Sequence, residues 1–207
     1  MKAKNIKGLY AITPDMADTE KLYEMVEASL KGGASMVQYR NKAASHTLRI
    51  KQARALLSLC RNYGVPFIIN DYIKLCLAID ADGLHLGSDD GNLAGARARL
   101  GEDKILGASC YNQLGLAEAA KPAGADYVAF GACFSSSTKP SAANASLALI
   151  TLAKQKIGLP IVAIGGITLD NGALAIDAGA SSMAVIDALF SADDIKQTAQ
   201  QFCNLFQ

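Results

Sequence analysis

Short apolar runs and helical segments alternate eight times along this chain, a pattern that folds most readily into a parallel sheet with helices outside it. The apolar runs lie at 8–13, 36–40, 67–69, 84–86, 104–109, 127–131, 161–166 and 182–186. Apolar residues at helical spacing mark 18–31, 47–63, 73–81, 92–100, 112–121, 147–156, 170–178 and 193–206. Four helix-to-strand turns look alike: Gly-Gly-Ala-Ser-Met-Val, Asp-Ala-Asp-Gly-Leu-His, Ala-Gly-Ala-Asp-Tyr-Val and Ala-Gly-Ala-Ser-Ser-Met. Each carries a glycine where the end of a helix calls for a left-handed residue. The units are unevenly spaced, so this is recurrent βα geometry and not a solenoid repeat. The pattern predicts a single (β/α)8 barrel domain over residues 1–207, near the smallest size that fold takes. A doubly wound open sheet would call for a Gly-x-Gly-x-x-Gly turn after the first strand, and none stands there.

Composition narrows the function. The chain is 51% hydrophobic over 207 residues, enough for one well-filled core. A net charge of +1 gives no basic field for nucleic acid, and no polybasic run points to a membrane. There is no tryptophan, and aromatic residues are too sparse for a base-stacking platform. The five cysteines form no CxxC pair and no metal spacing with histidine. An odd count with no apolar leader behind the first lysines reads as reduced thiols in a cytoplasmic protein. No apolar run is long enough to span a bilayer.

The stretch 65–90 concentrates the chemistry. Two strands there end at Asn70-Asp71 and at Gly87 to Asp90, with a short helix between them. Strands joined by a helix lie parallel, so Asp71 and Asp90 are expected side by side on one edge. Two carboxylates beside an amide suit Mg²⁺, which takes oxygen ligands and keeps substrate phosphate in its shell. The alternative is that each aspartate caps the helix that follows it.

Active sites of such barrels form at the C-terminal ends of the strands. Those ends carry Thr13, the segment Gln38 to Lys42, Asn70-Asp71, Asp89-Asp90, Ser109, Ser135 to Lys139, Gly165-Gly166 and Ile186-Asp187. The cations Arg40, Lys42 and Lys139, together with a divalent metal, suggest a substrate with more than one phosphate. The diglycine after the seventh strand falls where barrels hold phosphate on backbone amides, or else makes a tight turn. No nucleophile stands out. Ser109 has no histidine or lysine beside it in sequence, and Cys110 and Cys133 read as buried small hydrophobes. His85 sits mid-strand and reads as a satisfied core histidine, while His46 falls at the start of an exposed helix. A reaction in which metal and cations stabilise a leaving diphosphate fits this inventory best.

The end-of-strand residues resemble those of the thiamine phosphate synthase family. The family's segments occur in order: Leu-Tyr-Ala-Ile-Thr at 9–13, Gly-Gly-Ala-Ser-Met-Val-Gln-Tyr-Arg-Asn-Lys at 32–42, Ile-Asn-Asp at 69–71 and Ala-Asp-Gly-Leu-His-Leu-Gly-Ser-Asp-Asp at 81–90. Gly-Ala-Ser at 107–109, Gly-Ala-Asp-Tyr-Val-Ala-Phe-Gly at 124–131, Ser-Ser-Ser-Thr-Lys at 135–139 and Ala-Ile-Gly-Gly-Ile at 163–167 follow. The resemblance implies a (β/α)8 transferase that condenses a pyrimidine diphosphate with a thiazole phosphate, releasing diphosphate and making thiamine phosphate. It implies that Gln38, Tyr39, Arg40, Asn41, Lys42 and Asn70 hold the pyrimidine diphosphate. Asp71 and Asp90 would hold Mg²⁺. Ser109 and Lys139 would contact the diphosphate, and with Arg40 they are the expected catalytic residues. Ser136, Ser137, Thr138, Gly166, Ile186 and Asp187 would hold the thiazole phosphate. The family's chemistry is dissociative, which agrees with the missing nucleophile. The oligomeric state is left open, a homo-oligomer included.

The chain departs from the family pattern at Tyr39, where leucine is usual, at Asn41, where an acid is usual, and at Tyr72, where arginine commonly follows. Ser136 replaces a threonine, and Ala132-Cys133 lacks a proline common after the strand glycine. Asp187 stands where serine is common at the phosphate end. A carboxylate there is expected to serve as the cap of a short helix, its side chain folded back toward the amide of Leu189 or Phe190. Residues 135–144 have the composition of a mobile segment and are expected to close over bound diphosphate. Two other readings compete: a thiazole tautomerase on the same barrel, and a non-catalytic phosphate-binding regulator. Retention of Asn70, Asp71, Asp90 and Lys139 favours the synthase.

Overall fold

The eight apolar runs form the strands of a closed, all-parallel barrel in sequence order, in a computed structural model that describes residues 6–87, 91–134 and 145–207. The strands are β1 (Gly8–Ile12), β2 (Met36–Tyr39), β3 (Phe67–Asn70), β4 (Gly83–Leu86), β5 (Ile105–Tyr111), β6 (Tyr127–Phe130), β7 (Ile161–Ile164) and β8 (Ser182–Val185). The ring closes where Gly8 to Ala11 pair with Ser182 to Val185. The helices are α1 (Thr19–Lys31), α2 (His46–Asn62), α3 (Ile73–Ile79), α4 (Leu93–Leu100), α5 (Leu114–Ala120), α6 (Leu147–Lys156), α7 (Gly172–Asp177), α8 (Asp187–Phe190) and α9 (Ile195–Asn204). The short α8 is an extra turn between the last strand and the closing helix. Among the described residues no helix is long and apolar enough to cross a membrane.

Helix starts follow local chemistry. Asp18, Ser45, Asn92, Ser146 and Asp194 each accept amide hydrogen bonds at the first turn of α1, α2, α4, α6 and α9. Three of the four recurrent turns do place glycine at positive φ: Gly33 at 99°, Gly124 at 90° and Gly179 at 110°. The remaining turn differs from expectation. There Asp80 takes the left-handed position at φ 56°, and Gly83 is a strand residue. Gly83 is required for a different reason, because a Cβ would strike the Ile105 carbonyl and the Ile68 side chain.

Alternation along the strands divides the core in two. Leu9, Val37, Tyr39, Phe67, Ile69, Leu84, Leu106, Val128 and Ala163 pack outward against the helices. Tyr10, Ile12, Met36, Ile68, Ile105, Tyr127, Val162 and Ala184 pack together inside the barrel. Tyr10 and Tyr127 belong to β1 and β6, which are not neighbours, yet their rings meet edge to face at 6.0 Å. That contact crosses the barrel interior. At the end where the strands begin, Arg97 of α4 is bonded to Asp126 at 2.6 Å and to the carbonyls of Gly124, Gly101 and Lys104. This buried cation ties α4 to the turns before β5 and β6 and so fixes where both strands begin.

Candidate active site

β2 ends in a segment whose residues point alternately in and out. Gln38 faces the interior, where its Nε2–H donates to Tyr10 Oη at 2.7 Å. Tyr39 faces α2 and donates its hydroxyl to Gln52 Oε1 at 2.8 Å. Asn41 also turns to α2, giving its amide protons to Met16 O and Gln52 Oε1. The two departures Tyr39 and Asn41 thus form one buried polar cluster with Gln52, away from the barrel mouth. Period-two alternation from Gln38 carried the signal that Tyr39 would do so.

Arg40 and Lys42 are both steadied by the first loop. Thr13 Oγ1 accepts the Arg40 amide and donates to the Arg40 carbonyl, both at 2.9 Å. Asp15 pairs with the Arg40 guanidinium at 3.3 Å and accepts the Lys42 amide at 2.7 Å. Lys42 Nζ lies 3.4 Å from Asp71 Oδ2. The Lys42 side chain is 52% exposed, so this pair is worth little in stability and leaves the ammonium able to meet a ligand.

Asp71 follows β3 directly, with the left-handed φ of 63° and its amide on the His85 carbonyl at 2.9 Å. Aspartate tolerates this conformation better than most residues, and such backbone is concentrated at functional sites. Tyr72, not Asp71, occupies the cap position of α3 and makes no side-chain cap bond. The helix-cap alternative for Asp71 is therefore set aside. The Arg49 guanidinium of α2 lies 3.9 Å over the Tyr72 ring, so a cation stands beside position 72 even though arginine is absent from it.

His85 and Ser109 are joined. His85 Nε2 is 2.8 Å from Ser109 Oγ, and His85 Nδ1 is 2.9 Å from Tyr127 Oη. The imidazole stacks on the Tyr127 ring at 5.6 Å. Tyr127 Oη is in turn 2.9 Å from Tyr10 Oη. A buried chain therefore runs Gln38, Tyr10, Tyr127, His85, Ser109 across the interior. Burial pushes both phenols well above their ordinary pKa. The expectation that His85 is a satisfied core histidine holds in part: both ring nitrogens are partnered, but one partner is Ser109, a residue expected at the site. Asn70 ends β3, buried, in register with His85.

On the far side of the mouth, Gly165 and Gly166 adopt φ of 94° and 64° after β7. The Gly165 carbonyl accepts from the Phe134 amide, and the Gly166 carbonyl from Asn171 Nδ2. The expected cap at Asp187 is corrected: Asp187 is the first residue of α8 and Ile186 is its cap. The amides of Leu189 and Phe190 donate to the Ile186 carbonyl. The predicted site residues Asp90, Ser136, Ser137, Thr138 and Lys139, and the segment 135–144 with them, lie outside the described residues. Among the described residues no group of three or more His, Cys, Asp or Glu side chains forms a metal site.

The family model described as thiamine monophosphate synthase matches residues 9–189. A thiamine-phosphate synthase of Methylobacillus flagellatus is 61% identical over 201 residues, spanning 97% of this chain and 96% of that one. A thiamine-phosphate synthase of Thiobacillus denitrificans is 52% identical over 96% of this chain and 94% of its own length. Among solved structures, a thiamine phosphate pyrophosphorylase from Pyrococcus furiosus superposes with a TM-score of 0.88 at 32% identity, over 98% of this chain and 96% of that one.

Proposed function

The chain belongs to the thiamine monophosphate synthase family, and on that premise we infer that it condenses 4-amino-2-methyl-5-(diphosphooxymethyl)pyrimidine with 4-methyl-5-(2-phosphooxyethyl)thiazole to give thiamine phosphate and diphosphate. The observation that carries this reading at the level of the site is the buried chain from Gln38 to Ser109, flanked by Arg40 and by the Lys42–Asp71 pair. It offers an amide, a hydroxyl and cations, and among the described residues it forms no triad, because His85 Nδ1 meets the Tyr127 phenol. A site of this kind is suited to hold a departing anion.

In this reading Gln38, Arg40, Lys42 and Asn70 hold the pyrimidine diphosphate. Tyr39 and Asn41 contribute main chain only, since their side chains are engaged with Gln52. Ser109 and Lys139 meet the diphosphate as the bond to the pyrimidine methylene breaks. Ser136, Ser137, Thr138, Gly166 and the main chain of Ile186 and Asp187 position the thiazole phosphate, so that the ring nitrogen captures the cationic carbon. Stabilisation of the leaving group by fixed charges and donors supplies the rate, with no covalent enzyme intermediate.

Magnesium suits the described half of its expected donor set. Asp71 offers a hard oxygen ligand at the mouth, and the exposed Lys42 ammonium, 3.4 Å away, is free to swing from it to a substrate phosphate when the ion binds. With Asp90, Asp71 would hold the ion, which supplies neutralising charge for diphosphate. The reading includes a cytoplasmic location and small-molecule partners rather than nucleic acid or membrane. Chelation tests it. EDTA should abolish turnover and Mg²⁺ restore it; activity confined to isomerising the thiazole phosphate and indifferent to EDTA would favour a tautomerase.

A further inference from the structure

The polar chain inside the barrel has a direction, and proton counting fixes it. Each tyrosine hydroxyl owns one proton and has two partners here, so each accepts from one and donates to the other. Both phenols are fully buried and their pKa is raised, so neither gives its proton up. At one end stands Gln38 Nε2, an NH₂ group that can only donate. Tyr10 must then donate to Tyr127, and Tyr127 to His85 Nδ1. The ring proton of His85 is left on Nε2, facing Ser109 Oγ.

The other end imposes the same order independently. This step rests on the condensation reading of the site. A diphosphate oxygen only accepts, so Ser109 must spend its single proton on it and must accept from His85. Amide orientation is the weaker of the two constraints, because oxygen and nitrogen of Gln38 differ little in shape; the anion end requires the same orientation. The reverse polarity would make Gln38 accept and would place the ring proton on Nδ1. Ser109 would then donate to His85 and have nothing for diphosphate. A doubly protonated ring would make Tyr127 accept from both neighbours and leave its own proton without a partner.

We propose that Tyr10, Tyr127 and His85 are positioning residues: the chain Gln38→Tyr10→Tyr127→His85→Ser109 holds His85 as the Nε2–H tautomer and aims the Ser109 proton at the leaving diphosphate. The same chain links the amide that faces the pyrimidine end to the hydroxyl that faces the diphosphate end. No bond is made or broken in it and no net proton moves. Its effect is to present a hydroxyl donor that needs no reorientation when charge develops.

The test reads the tautomer directly. The chain has two histidines, so His46→Gln leaves His85 as the only imidazole in a protein labelled with nitrogen-15 histidine. Two-bond proton–nitrogen correlation without substrates, near neutral pH, should show a bare Nδ1 and a protonated Nε2. A proton on Nδ1, or on both nitrogens, overturns the proposal whether or not the enzyme makes thiamine phosphate. Tyr127→Phe should mix the tautomers and lower kcat about tenfold, with KM for thiazole phosphate within about twofold. Ser109→Ala placed on Tyr127→Phe should then cost less than Ser109→Ala alone. Additive losses, or an unchanged tautomer in Tyr127→Phe, would show that Tyr127 serves packing and not Ser109.

Discussion

His85 Nε2 lies 2.8 Å from Ser109 Oγ although 24 residues separate the two in the chain. The contact exists because β4 and β5 are neighbours and His85 is in register with Gly107, two residues before Ser109. Gly107 is also in register with Tyr127, and a Cβ there would collide with the hydroxyl end of the Tyr127 ring. Glycine at 107 therefore lets the tyrosine reach the imidazole. Gly107→Ala should destabilise the protein by roughly 1–3 kcal/mol through overpacking. It should also cut turnover about as much as Tyr127→Phe, on the order of tenfold. Thermal unfolding and steady-state kinetics check both; wild-type turnover in a folded Gly107→Ala protein would mean that Tyr127 does not act on the site.

Asp71 is to be tested with asparagine rather than alanine, because asparagine keeps its tolerance of the left-handed backbone at φ 63°. Asp71→Asn should fold, lose at least about a hundredfold in turnover and need more Mg²⁺ for half-saturation. A magnesium titration of activity measures this. Unchanged magnesium dependence would remove Asp71 from the metal site.

Asp187 begins α8 but does not cap it, so the carboxylate is not explained by the cap the sequence suggests. About 4 Å from a phosphate it would cost roughly 1 kcal/mol per charge pair in water and about 4 at an effective dielectric of 20. Asp187→Ser should therefore leave KM for the thiazole phosphate unchanged or lower. A rise of about tenfold would mean that the carboxylate acts on the substrate favourably, by about 1.4 kcal/mol.

The thiols set an alkaline limit on stability. Burial pushes Cys60 and Cys110 up to about 12, and Cys76 and Cys133 up to about 11, from 9.0. Folded thiols thus hold protons that unfolded ones release. Their contribution is complete below pH 9 and is lost as pH rises from 9 toward 11 and 12. Denaturant melts should show flat stability near neutrality and a fall above about pH 9, less steep in Cys60→Ala. Stability that rises across that range would contradict the burial of these thiols.

Much of the architecture could be read from the residues, because strand and helix patterns are local. The alternation predicted the barrel, and glycines 33, 124 and 179 end helices as expected. Gly83 departs from that pattern, because a glycine needed for close approach between strands looks the same in sequence as one needed for a turn. The site was legible as a row of strand ends and less so as a set of contacts. The Asp71 position and the Arg40 and Lys42 cluster follow from strand-end logic alone. The His85–Ser109 bond and the tyrosine pair depend on which strands are neighbours and on who meets across the interior, over separations of 24, 42 and 117 residues. Tyr39 and Asn41 lie in the segment that the resemblance assigns to the pyrimidine diphosphate, and alternation turns their side chains toward α2.

The condensation itself is the central claim, and mass spectrometry of the product tests it most directly. Purified protein, the pyrimidine diphosphate, the thiazole phosphate and Mg²⁺ should give thiamine phosphate and diphosphate in equal amounts, and omission of either substrate should give neither. Intact substrates after prolonged incubation with enzyme equal to substrate, or conversion of the thiazole phosphate alone, would contradict the account.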